Sequence, residues 1–253
     1  MEIITSMQNR TVKAFRALSE KKFREREGLF PVEGGNILRD IPPSAVVKYV
    51  LALPSRADEA CARFGESRVT VVSDEVMKSI ADTVTPYGLA AAVEIPKGEF
   101  ALPSGNALLL DGVSDPGNLG TVIRTAAATG FEDVYLLGCT DAYAPKAVRA
   151  SMGGIFRVRV RAVDNEQASA LVRGTFSVAL DMAGESLFAS PVPAPCLIVA
   201  GSEAHGVDKA LLGEVKSVRS LPMTGGMESL NVAVAAGIAM YNVFTSSQHT
   251  EVL

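Results

Sequence analysis

Three loop segments carry the residue types that chemistry at a sheet edge requires. The first, Asp111-Gly-Val-Ser-Asp-Pro-Gly-Asn-Leu-Gly-Thr-Val-Ile-Arg124, is a turn rich in Gly, Pro and Asp. It feeds a helical pattern in which one arginine stands among Val122, Ile123, Ala126, Ala127 and Ala128. A guanidinium in that setting needs a partner, so Arg124 is either half of a structural ion pair or a charge presented at a pocket. The second, Gly201-Ser-Glu-Ala-His-Gly206, follows an apolar run and sets the Glu203 carboxylate at a sheet edge, where a helix N-terminus also favours an acid. The third runs from Leu221-Pro-Met through Gly225-Gly226 to Ser229-Leu-Asn231 and into a small-residue helix. Ser229 and Asn231 are cap residues in type, and the glycines let backbone groups approach a ligand closely.

Several familiar chemistries lack their residues. No G-x-G-x-x-G follows a strand, and the P-loop, the G-x-S-x-G elbow and H-E-x-x-H are missing, which takes the main support from ordinary Rossmann and hydrolase readings. His205 and His249 are the only histidines, and His249 lies in a polar tail. A histidine mechanism would rest on His205, which reads as a loop residue. Cys61, Cys139 and Cys196 stand far apart with no CxxC spacing, so neither a metal site nor a disulfide framework is expected.

Loops of this kind work when strands aim them. Apolar runs at Ala107–Val113, Val134–Leu137, Phe156–Val163, Ser177–Leu180, Cys196–Ala200 and Val218–Pro222 alternate with helical patterns over Leu119–Thr129, Pro145–Met152 and Gln167–Val172, and a last helix spans Leu230–Phe244. Near-continuous apolar strands belong to a parallel sheet covered on both faces, so residues 106–253 read as a doubly wound α/β domain. Its ligands bind beyond the carboxyl ends of the strands, where all three loops fall. Upstream, strands over Val46–Leu53, Val69–Val72 and Leu89–Ile95 with helices over Asp58–Phe64 and Asp74–Ala81 read as a small α/β domain, residues 1–95. Proline and glycine at 96–105 mark the linker.

Charge is unevenly spread. The chain of 253 residues is 48% hydrophobic and carries a net charge of −4, which argues mildly against a protein that coats nucleic acid non-specifically. Yet Arg10, Lys13, Arg16, Lys21, Lys22, Arg24 and Arg26 crowd one stretch against Glu20 and Glu25. Val12, Phe15 and Leu18 form an apolar helical stripe there, leaving the other faces cationic. These are either solvated faces or a phosphate-contacting surface. Met1–Ser6 lacks the head and apolar run of a signal peptide, and Leu230–Phe244 is shorter than the roughly 20 residues of a membrane span, so a cytoplasmic, membrane-free chain is expected.

Together the three loops resemble the motifs of the SpoU, or TrmH-like, family of SPOUT RNA 2′-O-ribose methyltransferases. Asn118-Leu-Gly-Thr-Val-Ile-Arg124 resembles the first motif, Gly201–Gly206 the second, and Leu221-Pro-Met with Ser229-Leu-Asn231 the third. Their order and spacing match from Asn118 to Asn231. Ser6-Met-Gln-Asn9, Val12-Lys13, Gly28-Leu-Phe, Val32-Glu-Gly34 and Thr85-Pro-Tyr-Gly88 resemble the L30e-like substrate-binding domain of members that act on rRNA.

The resemblance implies a deep trefoil knot, a homodimer, and S-adenosyl-L-methionine bound by Gly201, Leu221, Met223, Leu230 and Asn231. It implies catalytic roles for Arg124, Asn118, Glu203, Ser229 and Asn231, and RNA contacts from Arg10, Lys13, Arg16, Lys21, Lys22 and Arg24. Arg124 either acts as base after passing its own proton to an RNA phosphate or stays charged and stabilises the forming alkoxide. Asn118 orients the guanidinium or the target ribose, and Glu203 pairs with an arginine or orders the third loop. The implied substrate is RNA, 23S rRNA first, with tRNA as the rival; a catalytically idle RNA-binding protein is the rival from outside the enzymes.

Overall fold

The computed structural model describes residues 1–250 apart from Asp82, Val84, Glu203 and Glu228, with backbone alone at 249 and 250. In chain order its elements are α1 (Arg10–Ala17), α2 (Lys21–Glu27), β1 (Leu29–Glu33), α3 (Gly35–Asp40), β2 (Val47–Ala52), α4 (Ala57–Phe64), β3 (Val69–Val71), α5 (Asp74–Ile80) and β4 (Leu89–Glu94). There follow β5 (Ala107–Asp111), α6 (Pro116–Thr129), β6 (Asp133–Leu137), α7 (Pro145–Ala150), β7 (Arg159–Val163), α8 (Asn165–Gly174), β8 (Ser177–Ser186), β9 (Leu197–Gly201), α9 (Lys209–Leu212), β10 (Ser217–Ser220) and α10 (Val232–Thr250). They form two units, Met1–Lys97 with Tyr143–Phe156, and Gly98–Ala142 with Arg157–Leu253. The segment 143–156, read from the sequence with the second domain, thus groups with the first unit. No helix among the described residues is long and apolar enough to cross a membrane.

In the first unit the strand order is β1-β4-β2-β3, with β4 antiparallel to β1 and β2, and β3 parallel to β2. Strand β1 escapes sequence reading because of Pro31, which is tolerated since β1 lies at the edge, where Pro31 faces Ala92. The basic stretch folds as two helices. Asn9 starts α1, its Oδ1 accepting from Thr11 N at 2.9 Å, and the Val12, Phe15 and Leu18 stripe is buried in the core with Leu51, Val76 and Met77. Gly28 ends α2 in the left-handed region, φ 65°.

The second unit is a six-stranded parallel sheet of order β10-β8-β9-β5-β6-β7. Fully buried Leu108, Leu109, Leu110, Ile198 and Val199 fill its centre. The chain leaves β5 towards β6 on one side, while β9 pairs with β5 on the other, so the switch of direction falls between β5 and its two neighbours. Helix α6 starts three residues before the predicted Leu119 because Asp115 caps it, Oδ1 accepting from Asn118 N at 2.9 Å, with Pro116 in the first turn. Helix α10 starts two residues late because Asn231 is its cap, Oδ1 accepting from Ala233 N at 3.0 Å.

Strand β8 runs well past the predicted Leu180. Ser217 and Val218 pair with Val178 and Ala179, but Arg219 and Ser220 pair with Glu185 and Ser186, so residues 180–184 bulge out of the ladder. Gly184 permits the return: a Cβ there would lie 2.6 Å from the Val218 carbonyl carbon.

Candidate active site

A cavity of the second unit lies where the ends of β9 and β10 meet the β8 bulge and the start of α10. Its volume is about 400 Å³, within the usual range for small-molecule sites. Ser202 and Gly206 form an isolated antiparallel bridge that folds the loop after β9 back on itself. Gly201 makes this possible: a Cβ at that position would sit 1.9 Å from the Gly206 carbonyl carbon. Backbone therefore forms one wall. Leu221, Met223 and Leu230 supply apolar walls, and Gly225 and Gly226 turn the third loop with φ 73° and 72°.

All four non-asparagine residues expected at the cofactor, Gly201, Leu221, Met223 and Leu230, line this cavity, as does Ser229. Asn231 is engaged beside it, its Nδ2 donating to Asn118 Oδ1 at 3.0 Å and so joining the first and third loops across 113 positions. Arg124 is exposed on α6 and has no ion pair or hydrogen bond with the described residues. The ion-pair reading thus finds no partner there, and the guanidinium is free to meet something from outside. Glu203 lies outside the described residues.

Among the wall residues that the sequence reading missed are the charged Asp181 and Arg219. The Arg219 side chain is only 11% exposed; Nη1 pairs with Glu185 Oε2 at 2.7 Å and Nη2 donates to Ser190 Oγ at 3.0 Å. It ties the bulge of β8 to β10. The available signal was Asp181-Met-Ala-Gly184, a polar, glycine-ended interruption directly after an apolar strand. Cysteine chemistry is absent from the site: burial pushes the Cys139 thiol up to about 11 and the Cys196 thiol up to about 12, so both stay protonated.

The basic residues of the first unit divide. Arg10, Lys13 and Arg16 are exposed. Lys21 pairs with Glu25 at 3.6 Å and Lys22 with Glu20 at 2.9 Å, both at the surface. Arg24 corrects the expectation of an RNA contact. It is 3% exposed, and its Nη1 donates to the carbonyls of Leu18 and Ser19 at 2.7 and 2.8 Å, satisfying acceptors that the break between α1 and α2 leaves open.

A parallel α/β sheet with a backbone-walled cavity at the ends of its strands, in one chain with a second α/β unit that carries a cationic helix, defines a two-unit α/β protein. The chain belongs to the SpoU rRNA methylase family, whose model matches residues 105–241, and residues 9–91 match the MRM3-like substrate binding domain. It is 32% identical to the 23S rRNA (guanosine(2553)-2'-O)-methyltransferase RlmP of Bacillus subtilis, covering 96% of this chain and 99% of that protein. Among solved structures it resembles a TrmH-family RNA methyltransferase of Porphyromonas gingivalis, with 31% identity, TM-score 0.84, and coverage of 94% and 98%. It also resembles the AdoMet-bound rRNA methyltransferase of Sinorhizobium meliloti, with 28% identity, TM-score 0.87, and coverage of 97% and 98%.

Proposed function

We propose that this chain transfers the methyl group of S-adenosyl-L-methionine to a ribose 2′-hydroxyl of RNA, with 23S rRNA as substrate. The observation that carries the reading is the cavity beyond β9 and β10, walled by a loop that folds back on itself because Gly201 leaves room for the Gly206 and Val207 backbone. S-adenosyl-L-methionine supplies an electrophilic methyl on a sulfonium. Leu221, Met223 and Leu230 hold its apolar portions and exclude water, while the backbone after Gly201 and the side chains of Ser229 and Asn231 meet its polar edges.

The remaining work falls to the chain's own side chains. The 2′-oxygen must be positioned and relieved of its proton as the new bond forms. Arg124, exposed and without a partner among the described residues, directs its guanidinium N–H donors at that oxygen, while the proton passes to an RNA phosphate oxygen or to water. Asn118, held by Asn231, orients the ribose or the guanidinium. The active species is a cytoplasmic homodimer with a trefoil-knotted second unit. Exposed Val234 and Tyr241 on α10 offer apolar area for a second copy, whereas Ala126, Ala233 and Ala236 are buried within this chain.

The test is methyl transfer from radiolabelled S-adenosyl-L-methionine to 23S rRNA and to tRNA, followed by mapping of the modified ribose. A 2′-O-methyl on 23S rRNA is expected. Preferential methylation of tRNA overturns the substrate, and full RNA affinity without cofactor binding overturns the enzyme.

A further inference from the structure

The first unit contains a second concave feature, remote in sequence from the three loops. Residues of α1, β1, the end of α5 and α7 enclose about 510 Å³. Phe15, Pro31 and Val148 form an apolar floor; Phe15 is fixed there by an edge-on contact with Tyr49 at 6.4 Å. Lys13, Arg16 and Arg149 stand among the lining residues with Glu20 and Glu33. The two carboxylates are already engaged, Glu20 by Lys22 at 2.9 Å and Glu33 by the hydroxyl of Thr83 at 2.5 Å. Lys13 and Arg16 are exposed and have no ion pair with the described residues. Of the basic stretch, these two cations border a cavity.

We propose that this cleft holds one unpaired nucleotide of the RNA substrate, its phosphate on Lys13 and Arg16 and its base against Phe15, Pro31 and Val148. The inference rests on the RNA-directed reading above and narrows it from a charged face to a site. Unstacked bases are what a concave apolar floor accepts, whereas an A-form helix offers a wide, shallow groove and phosphates that a flat surface meets. The hydroxyl of Ser19, just past α1, donates to the Arg16 carbonyl at 2.8 Å and that of Ser79 to the Val76 carbonyl at 2.7 Å, which leaves their oxygens as acceptors for a base edge. Stacking on apolar side chains combined with a backbone-tracking charge is how single strands are held.

The experiment uses the full chain, with fluorescence anisotropy of a short single-stranded oligoribonucleotide of mixed sequence and of the same strand annealed to its complement. Ala17→Trp fills the cleft and keeps both charges; Ala81→Phe fills it from the end of α5 should the first variant fold poorly. The double change Lys13→Gln with Arg16→Gln removes the charges and keeps the cleft. Both filling variants should weaken single-strand binding at least about fivefold, the loss of one stacked base, with an unchanged salt slope. The charge variant should flatten that slope by about 0.7 for each phosphate it no longer neutralises. Cofactor affinity and melting temperature serve as folding controls. Single-strand affinity that survives a folded filling variant overturns the cleft, as does equal affinity of the wild-type chain for strand and duplex. A wild-type chain that binds the strand in a filling-sensitive way yet methylates no RNA supports the cleft and overturns the enzymatic reading instead.

Discussion

Replacing Gly201 by alanine isolates the feature on which the cavity depends. The added methyl would stand 1.9 Å from the Gly206 carbonyl carbon, 2.0 Å from its oxygen and 2.2 Å from Val207 N, all backbone atoms with no rotamer to change. Ordinary contact begins at 3.4 Å, so the loop after β9 must retreat by about 1.5 Å. Overpacking of this kind costs about 3 kcal/mol, and a shift above about 1 Å at a reacting geometry lowers the rate about a hundredfold. Gly206→Ala is the matched control. Its φ of 68° is unfavourable for alanine, yet its Cβ would meet nothing within 4 Å, so it should cost about 1–2 kcal/mol by strain alone. Urea unfolding gives both stabilities, and calorimetry with S-adenosyl-L-methionine gives both affinities. If the folded Gly201→Ala protein loses no more stability than Gly206→Ala and binds the cofactor as well as wild type, the steric argument is refuted.

Arg124→Ala should leave cofactor affinity unchanged and lower methyl transfer about 10²–10³-fold, and Arg124→Lys should recover little, because an ammonium lacks the guanidinium fork; activity within a few-fold of wild type at saturating RNA contradicts this role. Val234→Asp on α10 should convert a dimer into monomers by sedimentation and abolish transfer while sparing the fold. Asp133, 3% exposed, bridges Arg159 and Arg161; burial pushes its pKa up, but the hydrogen bonds and charges of the two arginines outweigh this and lower it. Its contribution is therefore fully present above the ordinary Asp value of about 3.9 and fades as pH falls through the lower folded value. Asp133→Asn should cost about 3 kcal/mol at neutral pH, with the difference from wild type narrowing in acid, as urea titrations read it.

The sequence made strands legible where burial on both faces left no alternative, as in Ala107-Leu-Leu-Leu and Leu197-Ile-Val-Ala, and it misplaced boundaries where a cap decides them. Pattern alone starts a helix at Leu119, yet Asp115 and Pro116 begin it earlier through one hydrogen bond and a fixed φ. Strand β1 and the bulge of β8 were hidden for a related reason. An edge position excuses Pro31, and a register shift depends on the partner strand β10, which no local window contains. Arg24 is the plainest case: nothing in a run of seven basic residues marks the one whose guanidinium turns inward to two carbonyls.

At the site, residue types were readable and their couplings were not. Asn231 reads as a helix cap and does that work, its Oδ1 receiving Ala233 N, while Asn118 gives its backbone N–H to the Asp115 cap and keeps its side chain for other contacts. An amide has a second end, and the remaining groups meet each other, Nδ2 of Asn231 on Oδ1 of Asn118. Capping and a link between the loops are therefore not competing explanations for the Asn231 side chain. The cap fixes the rotamer, and a fixed rotamer lets the first loop, with Arg124 two turns further along α6, be held against the third, which walls the cavity. A change such as Asn231→Asp keeps the cap acceptor and removes the cross-loop donor, so it should spare α10 and the fold's stability while lowering the methylation rate. Asn231→Ala removes both. If the two variants lose stability equally, the cap and the link are not separable in the way their atoms indicate.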